Sequence, residues 1–262
     1  MLDPLHQVLA VGSGGLVGFT LGLIGGGGSI LATPLLLYVV GLSNPHVAIG
    51  TGALAVSVNA FVNFAGHSRC GNVRWREAVV FALVGMLGAF AGSSLGKLVD
   101  GQRLLVLFAL LMVVVGVLML RPHKQDAVAG AAGDGPRSVV KIGGAALAAG
   151  GLSGFFGIGG GFLIVPALLL STGIPLIQAI GSSLLAVGAF GLATAVNYAV
   201  SGLVDWLVAA EYVAGGIAGG VLGMRLAIRL APRRAALNRI FAGVIFTVAA
   251  YMLYRNAAAF GA

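Results

Sequence analysis

Charge is what this sequence has least of: 8% of its 262 residues are Asp, Glu, Lys or Arg, and seven of them are acidic. A water-soluble domain carries about 25%. At 59% hydrophobic and a mean hydropathy of +1.05, this chain has too few water-solvated groups to cover its own surface. A soluble fold and a disordered chain are excluded, and the expected setting is the lipid bilayer. The lone Cys70 excludes an intrachain disulfide and a cysteine-rich metal site. A GxxxxGK[ST] phosphate loop is missing, which excludes ATP hydrolysis by this chain as the driving reaction. The expected spans hold no paired carboxylates and no histidine, so the chain is read as a non-enzyme without a cofactor.

Residues 4–68 and 142–204 contain no charged side chain. A helix needs about 20 apolar residues to cross the hydrocarbon layer, and six runs qualify: 47–65, 78–99, 104–120, 179–200, 207–224 and 236–254. Regions 5–41 and 142–173 differ, because glycines interrupt them at Gly25, Gly26, Gly27 and Gly28 and at Gly157, Gly159, Gly160 and Gly161. Their second arms are about 12 residues, or about 18 Å of helix, too short to cross. Each is therefore expected to be a re-entrant hairpin.

The two regions also match each other. Pro34 and Pro166 follow the glycines at equivalent places, Ala48–Val56 matches Ala179–Val187, and Gly71–Trp75 matches Gly202–Trp206. The expected fold is an all-α integral membrane protein of two repeats, 1–120 and 142–262, each a hairpin plus three transmembrane helices, joined by a polar linker at 121–141. With hairpins that enter and leave on one side, 12 basic residues fall inside (among them Arg69, Arg74, Arg76, Lys141 and Arg225) and Lys97, Arg103 and Arg255 fall outside. That bias places the linker in the cytoplasm and both termini outside, and it makes the halves inverted repeats, an architecture of secondary transporters. The net charge of +8 is thus topology, and nucleic acid is not an expected partner. The N-terminal MLDPLHQ lacks a basic n-region and a cleavage site, so it is read as mature protein.

Irregular backbone at membrane depth must be buried in protein or line a wet cavity. Each glycine tip precedes a short helix, expected at 30–41 and 162–173, whose first amides lack partners and whose dipole is positive. A small anion is the natural ligand there. The expected contacts are Gly26, Gly27, Gly28 and Ser29 in one half and Gly159, Gly160 and Gly161 in the other. Thr51 and Ser182 occupy matching places, and with Ser183 they can face the tips; Asn59, Asn63 and Asn197 carry amides that can donate to an oxyanion. His67 is the histidine best placed to titrate near neutrality and so for proton coupling, although a histidine in a loop at the membrane surface is more often simply solvated. Pairs such as Gly85/Gly88, Gly92/Gly96 and Gly215/Gly219 suit close helix packing. Trp75 and Trp206 suit interfacial anchoring.

These residues together resemble the sulfite exporter TauE/SafE family of membrane permeases. The resemblance covers essentially the whole chain. It rests on the duplicated glycine segment followed by proline, the Ala-Ile-Gly-Thr/Ser stretches, and the ends Asn63 to Trp75 and Asn197 to Trp206. The first of those ends carries Arg74 where the family often has Asp, with three more residues before the glycine. The resemblance implies a multi-pass inner-membrane secondary transporter that exports small sulfur-containing or organic anions, such as sulfite or sulfoacetate, by alternating access. An anion channel of the same fold is the alternative. The partners expected are a small anionic substrate and the bilayer, and homo-oligomerisation stays open.

Overall fold

The computed structural model describes residues 4–120, 136–157, 161–172, 174, 176–229 and 234–255. All regular structure among them is helical: α1 (Pro4–Ile24), a 3-10 segment (Gly25–Leu31), α2 (Ala32–Tyr38), α3 (Pro45–Arg69), α4 (Trp75–Gly96), α5 (Gly101–Leu120), α6 (Pro136–Phe156), α7 (Gly161–Thr172), α8 (Leu176–Val200), α9 (Trp206–Arg229) and α10 (Arg234–Arg255). Five helices, α1, α3, α4, α8 and α9, are long and apolar enough to cross a membrane among the described residues. The expected spans at 47–65, 78–99, 179–200 and 207–224 lie within or overlap four of them. α1, read from sequence as one arm of a hairpin, is itself about 32 Å long, since its 21 residues each rise about 1.5 Å. The expected spans at 104–120 and 236–254 fall within α5 and α10, 20 and 22 residues long.

The helix ends follow local chemistry. Asn44 caps α3 by accepting the His46 amide at 2.9 Å, with Pro45 in the first turn, where its missing N–H is harmless. α3 and α8 end in the same turn. Gly71 and Gly202 take φ of +69° and +70°, and the amides of Asn72 and Leu203 return to the carbonyls of His67 and Tyr198 at 3.1 and 3.0 Å.

Glycine seams hold the bundle together. Gly14, Gly18 and Gly22 of α1 meet the backbone of Tyr212, Gly216 and Gly220 of α9, while Gly215, Gly219 and Gly223 meet that of Val11, Gly15 and Phe19. The constant offset makes the two helices parallel. α4 and α6 repeat the arrangement, with Gly88, Gly92 and Gly96 against Leu147, Gly151 and Phe155, and Gly150 and Gly154 against Gly85 and Ala89. A Cβ at most of these positions would enter the facing backbone, so only glycine permits the contact. At the centre α3 crosses α8: the Ser57 hydroxyl donates to the Gly188 carbonyl at 2.7 Å, and Gly191 lies over Ala53. Because Ser57 faces Gly188 while Ala53 faces Gly191, these two helices run antiparallel.

Candidate functional site

In the first hairpin, the chain leaves α1 through Gly25, at φ +76°, and folds back so that Gly28 lies over Thr20 and Leu21. The return arm ends at Gly41, at φ +86°, where a Cβ would come within 3.7 Å of the His6 ring near the start of α1. Hence residues 6 and 41 share one end of the molecule. Gly157, at φ +66°, repeats the Gly25 conformation in the second half. Gly26 and Gly27 lie inside the 3-10 segment with Gly28 and Ser29, and Gly161 opens α7. Gly159 and Gly160 fall outside the described residues.

Two features differ from the sequence expectation. A helix does not start at Ile30: seven residues, Gly25–Leu31, form a 3-10 turn, and α2 begins at Ala32. Four consecutive glycines carry no side chains to favour the wider α-helix, and the tighter winding lengthens the return arm to about 2 Å per residue. It also occupies backbone groups that the expectation left free, for the Ala32 amide bonds Ser29 O and the Ser29 hydroxyl donates to Gly26 O at 2.8 Å. The second difference is position. Gly25 packs on Ile180 and Ser183, early in α8, and Gly157 packs on Ile49, early in α3. Each contact lies about 10 Å from the α3–α8 crossing at Ser57 and Gly188. The positive-φ glycines thus flank the crossing, and it is the segment after Gly25 that packs against α7.

Thr51 and Ser182 form a matched pair of bonds between halves. Thr51 Oγ1 accepts the Asp205 amide at 2.9 Å, and Ser182 Oγ accepts the Arg74 amide at 2.9 Å. Both hydroxyls are fully buried and hold the loop of the other half. Beside each, Gly50 lies against Leu203 O and Gly181 against Asn72 O. Ser183 donates to Ile180 O at 2.7 Å, within its own helix.

Asn59, Asn63 and His67 fall four residues apart on one face of α3, and all three are buried. They press into the α1–α9 seam: the Asn59 amide lies against Gly216, and that of Asn63 lies between Gly22 and Gly220. Asn63 donates to Asn59 O at 2.8 Å. Neither amide atom of Asn59 has a hydrogen-bond partner among the described residues, and the His67 ring meets only the backbone of Gly22. Such groups cost about 1–3 kcal/mol each when buried unpaired. His67, expected in a solvated loop, is 1% exposed in the last turn of α3. Three α-helical turns beyond the apolar tract's midpoint its polarity suggests a surface, but hydropathy cannot tell which face of a helix end is covered. The equivalent row in α8 is Phe190, Thr194 and Tyr198, so the two seams differ chemically.

Asn197 does not join this centre. Its amide donates to the hydroxyls of Ser93 and Ser94 at 2.7 and 2.9 Å, and its oxygens accept Lys97 Nζ at 2.7 and 3.1 Å. The sequence reading missed Lys97; the available signal is that it lies on the side the charge count leaves nearly bare. Cys70 is exposed. No cluster of three metal-binding side chains occurs among the described residues.

A family model described as sulfite exporter TauE/SafE matches residues 10–252. The chain is 58% identical to a probable membrane transporter protein of Xylella fastidiosa (strain 9a5c), over 95% of each sequence. It is 33% identical to a probable membrane transporter protein of Haemophilus influenzae, over 77% of this chain and 76% of the relative. With the probable membrane transporter protein YunE of Bacillus subtilis it shares 30% identity, over 77% and 81%. No solved structure matches.

Proposed function

The chain belongs to the sulfite exporter TauE/SafE family of membrane transporters, and from that premise we propose that it is a secondary carrier exporting small sulfur-containing or organic anions across the inner membrane by alternating access. The observation that carries this reading is the α3–α8 crossing. Helices equivalent in sequence run antiparallel there, and the matched bonds from Thr51 and Ser182 tie each to the opposite half's loop. A half-turn axis in the membrane plane produces that relation, which supports inverted repeats with re-entrant hairpins at 5–41 and 142–173.

In this reading the anion is met by backbone amides around Gly26, Gly27, Gly28 and Ser29 and around Gly159, Gly160 and Gly161, with Asn59 and Asn63 as side-chain donors and His67 as the proton-coupling group. Thr51, Ser182, Ser183 and Asn197 serve the framework. Partial charges favour capture that is weak enough to release. The test is sulfite and sulfoacetate flux in proteoliposomes with and without a pH gradient. Saturable flux with counterflow, accelerated by the gradient, is expected. Flux without saturation or counterflow would make the protein a channel, and no flux of any small sulfonate, sulfite or carboxylate would overturn the reading.

A further inference from the structure

An open vestibule of about 720 Å³ lies where the starts of α3 and α5 meet the end of α4. Two helix N-termini share it, in direct contact, since a Cβ on Gly101 would come within 3.0 Å of the Pro45 ring. Their positive ends point the same way, toward Asn44, His46, Asp100 and Gln102 on its wall. Lys97 joins them. Its half-buried ammonium is held by three neutral oxygens, Asn197 Oδ1 at 2.7 Å, Ser201 Oγ at 2.9 Å and Asn197 O at 3.1 Å, above the Tyr198 ring at 5.9 Å.

No carboxylate pairs with Lys97 among the described residues. Asp100 is the one acidic group on the wall, and its Oδ1 is engaged in capping α5 through the amides of Gln102 and Arg103 at 3.0 and 3.2 Å. The tie between α4 and α8 does not itself need a cation, because a neutral amide donates equally well to Asn197 and Ser201. A partly desolvated charge held only by neutral oxygens is costly unless an anion approaches it.

We propose that this vestibule is a binding site for a small oxyanion, with Lys97 supplying the charge. It rests on the transporter reading only for its role, which is to hold the solute at the mouth as it enters or leaves the core. Neutral oxygens around the ammonium fix its position without cancelling its field.

The test is calorimetric titration of purified protein with sulfite, sulfate, acetate and chloride. Lys97→Gln should weaken oxyanion binding at least tenfold, and Lys97→Arg should retain it within about threefold. As a control for folding, Lys97→Cys in a Cys70→Ser background, modified by an aminoethyl thiosulfonate, should regain affinity, while a methyl adduct should not. Equal affinity in all forms, loss that the ammonium adduct does not restore, or no saturable binding of any of the four anions by the wild type would overturn the proposal. If the wild type binds through Lys97 but carries no flux, the transporter reading falls and the site stands. If flux persists while Lys97 proves irrelevant to binding, the reverse holds.

Discussion

Three glycines on one helix allow the seam between α1 and α9 to be tested quantitatively. A Cβ on Gly18 would run into the backbone of Gly216, which cannot step aside without parting the helices. One on Gly15 would lie 3.6 Å from Gly215 O, an ordinary contact, and one on Gly12 would meet nothing within 4 Å. Overpacking against fixed backbone costs about 1–3 kcal/mol, and the forced separation also loses dispersion along the seam, where a gap of 0.5–1 Å forfeits roughly a quarter to a half of each contact. Gly18→Ala should therefore lose about 3 kcal/mol. Gly15→Ala should stay within about 0.5 kcal/mol, and Gly12→Ala should gain up to about 1 kcal/mol from helix propensity. By the size scaling of thermal unfolding, the first corresponds to a fall in Tm on the order of 6–12 °C. Thermal unfolding of the three variants in one detergent reads the series. Equal Tm values for Gly18→Ala and Gly15→Ala would refute the close backbone approach, whatever the absolute values.

Thr51→Val and Ser182→Ala each strand a loop amide, at Asp205 and Arg74, and each should cost about 1–2 kcal/mol by thermal unfolding. Set on opposite sides of the crossing, the two losses should add in the double variant to within about 0.5 kcal/mol. Asn59→Leu removes a buried amide with no partner, so Tm should hold or rise while sulfite flux falls at least tenfold; unchanged flux would remove Asn59 from the path. His67→Gln should leave gradient-free exchange intact and abolish acceleration by a pH gradient. The neighbouring charges Arg69 and Arg225 are exposed, and α1 brings only backbone at Gly22 close by, so the imidazole is the group being tested.

Composition and periodicity were enough to read the helices and the glycine pairs that pack them. The offset that pairs Thr51 with Ser182 in sequence is the one that places their two hydroxyls on opposite loops. What spacing could not supply is which helix meets which. Nothing in residues 4–24 says that their glycine face belongs to α9, because a glycine stripe states a distance of approach and leaves the partner open. The row Asn59, Asn63, His67 was visible as separate polar residues, whereas their shared face appears only once α1 and α9 cover it. Asn63 and Asn197, each read as opening the stretch that ends at a tryptophan, are not equivalent in space: Thr194 takes the place matching Asn63, and Asn197 answers Lys97. The 3-10 winding at Gly25–Leu31 escaped because featureless glycine allows several helical pitches.

The pairing of α1 with α9 has a bearing on biosynthesis. Val11 and Gly215 touch, yet about 200 residues of chain separate them. At 5–20 residues per second the ribosome needs on the order of 10–40 s to deliver the second after the first. Throughout that interval the opening hairpin sits in lipid with a bare groove where its mate belongs. A nascent chain stopped before α9 would carry that exposed seam permanently, which makes such fragments natural prey for membrane quality control and ties survival of the N-terminal half to completion of the C-terminal one.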